Sequence, residues 1–124
     1  MIGYSLTLPL GPSINNYYKR TMINGKRGQR ISDEGQLFRV HVRNAVVQSG
    51  MPKLAGRLCL IVRVFPKTKA KTDISNRVKA LEDALQHAGA FENDEQIDDL
   101  QVTRGPIVRG GRIEILIGEI NVPS

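Results

Sequence analysis

In the stretch KTDISNRVKALEDALQHAG, residues 71–89, an acid, a hydroxyl and an amide fall within four positions as Asp73, Ser75 and Asn76, and Lys79 follows about one helical turn later. A further acid, Asp94, lies just downstream in AFENDEQID. Carboxylates from two segments with a lysine between them suit Mg²⁺-dependent phosphoryl chemistry. Mg²⁺ takes a few carboxylate oxygens and keeps several waters, one of which can attack phosphorus, while an ammonium group offsets charge developing on the phosphate oxygens. A plainer reading stands beside this one. Short polar residues ahead of a helix commonly cap its free N–H groups, and Asp73 and Ser75 would both do so.

A helix must carry these groups. At about 100° per residue, Ile74, Val78, Leu81, Leu85 and Ala88 share one side, whereas Asn76, Lys79 and Asp83 share the other, and Gly89 ends the run. Asp83, one turn beyond Lys79, is expected to pair with it as a structural contact. Further upstream, Ile2, Tyr4, Leu6 and Leu8 alternate with smaller or polar residues as a half-buried strand. Residues 11–31 hold Gly, Asn and the cations Lys19, Arg20, Lys26, Arg27 and Arg30 with little apolar periodicity, which reads as an exposed, mobile loop. Ser32 then caps a first helix with Asp33 and Glu34 in its first turn, an apolar stripe of Leu37, Phe38, Val42, Ala45 and Val46, and Gly50 as its stop. The apolar run LCLIVRVF reads as a central strand containing Cys59 in a packing role. Two final strands lie near DLQVTR and GRIEILIGEI, joined by a turn around Arg109, Gly110 and Gly111. The order β-α-β-α-β-β predicts a single α+β domain over residues 1–124, a mixed β-sheet with helices packed on it.

Charge is segregated along this order. The formal net charge is +6, but residues 1–72 carry +11 and residues 73–124 carry −5. A basic first half suits a polyanion such as DNA or RNA, or simply a solvated basic surface. Aromatics are only 5% of the chain, which disfavours an RNA-binding sheet built on stacking. No apolar run approaches the roughly 20 residues a membrane helix needs, and the N-terminus lacks the pattern of a signal peptide. The single cysteine leaves no intrachain disulfide and fits a reducing compartment. A cytoplasmic protein is expected. His41 and His87 receive no role from their positions.

Four phrases taken together, SLTLPLGPSINNYYKR, DISNRVKALEDAL, HAGAFENDEQI and VTRGPIVRGGRIEILI, resemble the RusA-type Holliday junction resolvases, small homodimeric Mg²⁺-dependent endonucleases of bacteria and their phages. The resemblance spans nearly the whole chain, and the order and spacing of the phrases are its specific part. The family's helix motif reads Asp, apolar, Asp, Asn, with a lysine three residues on and a further Asp in the loop beyond. Asp73, Asn76, Lys79 and Asp94 match those positions. The resemblance thus implies Mg²⁺ held by Asp73 and Asp94, with Lys79 assisting cleavage of four-way junctions by paired nicks in DNA recombination and repair. It further implies a homodimer.

This chain departs from the pattern in having Ser75 where the second acid is usual, and Asn93 before Asp94 where another acid often stands. A serine hydroxyl is a weak, neutral ligand. The alternatives are a working site with two acids and more water, a substitute acid such as Asp83 on the same helical face, or a protein that binds branched DNA but cuts it poorly. A broader nuclease for flaps or forks is a further alternative. The cations Lys19, Arg20, Lys26, Arg27, Arg30, Lys67, Lys69 and Lys71 would hold the DNA backbones by charge. Tyr17 and Tyr18 would either stack on unpaired bases at a junction centre or anchor their loop to the core.

Overall fold

The computed structural model describes residues 3–70 and 73–120. In chain order the elements are β1 (Gly3–Leu8), α1 (Ile14–Tyr17), β2 (Tyr18–Ile23), β3 (Lys26–Ile31), α2 (Asp33–Ser49), β4 (Leu58–Phe65), α3 (Ser75–His87), a 3-10 turn (Asp94–Gln96), β5 (Ile97–Arg104) and β6 (Arg112–Glu119). Four strands form a mixed sheet in the order β1-β6-β4-β5, with β4 and β5 parallel and the other pairs antiparallel. The parallel pair needs a crossover, and α3 provides it. The fold is the α+β arrangement that the sequence predicts. Although β5 and β6 are consecutive, they do not pair, because β6 runs between β1 and β4.

One face of the sheet carries the core. Alternate residues Leu58, Leu60, Val62 and Val64 of β4 and Ile113, Ile115 and Ile117 of β6 are buried in one cluster with Phe38, Val42 and Val46 of α2 and Leu81 and Leu85 of α3. Each such side chain contributes roughly 1.5–3 kcal/mol by leaving water, so this face fixes how the helices sit. Cys59 is buried as well, its thiol donating to Asp99 at 3.6 Å. The capping expected for α2 is present: Ser32 Oγ accepts from the Gly35 N–H at 3.0 Å, and Gly50 ends the helix in the left-handed region at φ 71°. Leu37 departs from expectation. It is 59% exposed because the buried stripe is Phe38, Val42 and Val46, spaced by four, and Leu37 lies about 100° off that line.

The largest correction concerns residues 11–31. This segment is ordered, as the short helix α1 followed by a two-stranded ribbon in which β2 and β3 pair from Tyr18↔Ile31 to Ile23↔Lys26. Asn24 and Gly25, with φ of 52° and 75°, make the two-residue turn. Asn-Gly is the preferred pair for a hairpin turn with both residues at positive φ, so the signal was present in the sequence. The ribbon is exposed along most of both strands, Met22 and Ile23 included, so no buried face imposes a hydrophobic period. Its base is fixed by backbone bonding, with the Ser32 N–H donating to the Tyr17 carbonyl at 2.9 Å and Ser32 Oγ donating to the Asn16 carbonyl at 2.6 Å. Gly35 allows this approach, since a Cβ there would lie 2.6 Å from the Tyr17 carbonyl oxygen.

Candidate active site

The loop from β4 returns to the helix layer at Asp73, and α3 begins two residues later. Asp73 Oδ1 accepts from the Ser75 N–H at 3.0 Å and from Ser75 Oγ at 2.6 Å. These two bonds hold the Asp73 carboxyl below the usual carboxylate range, helped by the positive Arg104. Asp73 is thus an exposed carboxylate tied to Ser75 just ahead of α3; the N-cap position is Ile74, without a side-chain cap bond, and Ser75, the other expected cap, is the first residue of the helix. Asn76 is half-buried in the first turn, and its N–H donates to the Asp73 carbonyl at 3.3 Å. Lys79 follows on the exposed side. Lys67, Arg77 and Asp73 line one small pocket of about 30 Å³. The Arg77 guanidinium donates to the Gly11 carbonyl, and burial lowers its pKa.

Asp83 corrects an expectation. It does not pair with Lys79; its Oδ2 accepts from Arg39 of α2 at 2.7 Å and from the Tyr17 hydroxyl. Arg39 Nε also donates to the Tyr17 oxygen at 2.7 Å, closing a triad. Burial raises the Tyr17 pKa, with Asp83 adding to the effect, so the phenol stays protonated. Tyr17 is fully buried and packs edge-on to Tyr18 at 5.0 Å. It anchors its segment to the core and is not available to stack on a base, which removes it from the expected DNA-contacting set. Lys19, Arg20, Lys26, Arg27 and Arg30 of the ribbon and Lys67 and Lys69 after β4 are exposed. Lys71 lies outside the described residues.

Asp94 is held by its neighbours Asn93 and Gln96. Asn93 accepts from the Glu95 N–H at 2.9 Å, while the Gln96 side-chain oxygen accepts from the Asn93 N–H at 3.0 Å and the Glu92 N–H at 2.9 Å. Gln96 Nε2 donates to the carbonyls of Leu54 and Gly56, both at 3.0 Å, and the residue is 8% exposed. The spacing Asn93-x-x-Gln96 is a capping-box pattern and is legible in the sequence. Asp94 is therefore exposed on a turn that Gln96 fastens to the segment between α2 and β4.

Glu82 is the unexpected acid. It is 7% exposed, and among the described residues its carboxylate makes no hydrogen bond or ion pair. Burial raises its pKa; Lys79 opposes the shift and Asp94 adds to it, so these two are the charges it senses.

A family model described as Endodeoxyribonuclease RusA matches residues 9–118. The chain belongs to this family. A curated RusA-family relative from Enterobacteria phage HK97, named crossover junction endodeoxyribonuclease rusA, is 38% identical over 123 residues, covering 97% of this chain and 98% of that protein. Proteins named crossover junction endodeoxyribonuclease RusA from Shigella sonnei and Escherichia coli K12 are 36% and 35% identical over 125 residues, each match covering 97% of this chain and 98% of the relative.

RusA membership with the matching motif implies Mg²⁺. Asp73, Ser75, Glu82 and Asp94 offer only hard oxygen donors, the kind Mg²⁺ prefers. Among the described residues no three His, Cys, Asp or Glu side chains gather as a metal cluster. Mg²⁺ commonly takes one or two carboxylates from protein and completes its octahedron with water and phosphate. The oxygen donors of Asp73 and Asp94 are of the kind such a largely hydrated ion takes.

Proposed function

We propose that this protein is a Mg²⁺-dependent, structure-selective endodeoxyribonuclease that resolves four-way DNA junctions by paired symmetric nicks, working as a homodimer in the cytoplasm of a bacterium or an infected host. The observation that carries the reading is the attachment of two functions to one helix. Lys79 lies on α3, which begins two residues after Asp73, and Asp83, one turn on, holds the root of the cationic ribbon through Tyr17. Charge that grips a DNA backbone and charge that acts on it are thereby held in fixed relation.

In this proposal the ribbon cations and Lys67 and Lys69 neutralise phosphates and set the register of the DNA without reading sequence. Like charges directly opposite one another, as at Lys19↔Arg30, destabilise a ribbon on its own and are relieved by a polyanion. Asp73 and Asp94 would hold the cation, and the bonds from Ser75 keep the Asp73 carboxyl ionised. When bound, Mg²⁺ supplies a water nucleophile and polarises the phosphodiester, giving 5′-phosphate and 3′-hydroxyl ends. Lys79 offsets charge that grows on the phosphate oxygens. The homodimer fits a task in which two strands are cut, since a two-fold pair of sites matches a two-fold junction.

The test is cleavage of synthetic four-way, three-way and linear duplex DNA with Mg²⁺ and with chelator. Four-way junctions are expected to be nicked in pairs only with Mg²⁺, and Asp73→Asn or Asp94→Asn to lose at least about a hundredfold in rate while still binding. Intact junctions under binding conditions would make the chain a branched-DNA binder, and equal rates on linear duplex would make it a general nuclease.

A further inference from the structure

We propose that the tip of the β2–β3 ribbon is a wedge for DNA: Met22 and Ile23 enter the branch point of a junction and pack against base faces left unstacked there. The inference rests on the junction reading above and deepens it by naming what tells a branch from an ordinary duplex. Three observations carry it.

The first is exposure. Met22 and Ile23 are 67% and 66% exposed. Every residue from 22 to 30 is exposed, and a Cβ added at Gly25 of the turn would meet nothing within 4 Å, so the tip stands clear of the body. Single apolar residues on a surface are ordinary, but two side by side at the free end of a projection leave most of their apolar surface in water and mark a contact surface. The second is the charge around them. The ribbon carries Lys19, Arg20, Lys26, Arg27 and Arg30 and no acid. Met22 lies opposite Arg27 and Ile23 opposite Lys26, and successive residues of a strand face opposite ways, so each face of the tip presents one apolar side chain beside one cation. Such a surface repels another copy of itself and suits DNA, whose phosphates take the cations while a Met or Ile side chain wedges between bases. A continuous duplex keeps its base faces stacked, whereas the centre of a four-way junction interrupts the stack. The third is the mounting. Six residues per strand carry the tip roughly 17 Å from the root, and Tyr17, directly before β2, fixes that root by donating to Asp83 of α3. The helix that carries Lys79 thus sets where the tip lies, and lodging Met22 and Ile23 at the branch fixes which phosphates reach Lys79.

The test uses the full-length protein in chelator with a synthetic four-way junction and a linear duplex, each carrying 2-aminopurine, next to the branch in one and mid-helix in the other. The variants are Met22→Ser/Ile23→Ser and the conservative Met22→Leu/Ile23→Val. The parent should raise the junction's 2-aminopurine fluorescence, as unstacking does, and leave that of the duplex unchanged. The serine variant should lose this rise and bind the junction at least about tenfold more weakly, with duplex affinity, the salt slope and the circular dichroism spectrum unaltered. The conservative variant should behave as the parent. Equal losses on junction and duplex would make the tip a groove contact, and a serine variant that sediments as a smaller assembly than the parent would make it a contact between copies; either overturns the proposal. So would an unchanged junction affinity and fluorescence rise in the serine variant, or no rise with the parent. If the parent cuts junctions with Mg²⁺ while the serine variant keeps the rise, the wedge fails alone. If the rise depends on the tip but junctions stay intact with Mg²⁺, the cleavage reading fails and the wedge stands.

Discussion

Tyr17, Arg39 and Asp83 come from three elements and form a closed triad: the phenol donates to the carboxylate, and the guanidinium donates to both. Arg39 is partly buried against the Tyr17 ring, with its Cζ 5.7 Å from the ring centre. Truncating one member strands the others, and the loss follows from leaving a polar group unpaired. Tyr17→Phe is expected to lower stability by about 1–3 kcal/mol in urea denaturation, with the charge pair left in place. The neighbouring acids on α3 thus differ in fate: Asp83 is consumed by the anchor and Glu82 is left without a partner. Their sequence neighbours do not distinguish them, because which of two adjacent acids meets a guanidinium depends on where α2 docks.

Among the elements, the β2–β3 ribbon and the Asp94 turn are both held by their ends and present charge from their tips. The ribbon has Ser32 and Tyr17 at its root and cations along both strands. Its attraction for DNA should be almost wholly electrostatic, so binding falls steeply with salt. Changing Lys19, Arg20 and Arg30 together to Gln is expected to weaken junction binding and to flatten the plot of log affinity against log salt by about 0.9 for each phosphate that is no longer neutralised, while the far-ultraviolet circular dichroism stays the same. A change in affinity with an unaltered salt slope would mean the ribbon does not touch phosphate. The hairpin was legible from Asn24–Gly25, but the isolated ribbon offers no buried face and so no period to read.

Across the whole molecule, Arg57, directly before β4, clips that strand's start to the turn that carries Asp94 and to the start of β5. Its guanidinium donates to Asp98 at 3.0 Å through Nε, to Glu95 at 2.9 Å and to the Glu95 carbonyl at 2.6 Å. Arg57 holds the Asp98 carboxyl below its ordinary range. A carboxylate whose pKa is lowered on folding adds stability that is complete above its unfolded value and is lost as pH falls through the lowered one. The parent should therefore lose melting temperature below about pH 4 more steeply than Arg57→Met, the two converging in strong acid, while the difference at neutral pH stays small because the pair is exposed. A melting profile across acid pH checks this.

The strands and the two long helices are written in the chain itself, since their side chains repeat with periods of about two and 3.6 against one apolar face. The caps at Ser32 and Gly50 and the family motif are written there too, because caps and motifs consist of local residue types. Packing alone settles that Asp83 binds Arg39, that Tyr17 is buried, that Gln96 clamps the Asp94 turn, and that Glu82 lacks a partner. Those outcomes depend on which surfaces meet when α2, α3 and the sheet come together. Contacts between residues 22 to 66 positions apart leave no periodic trace in the chain.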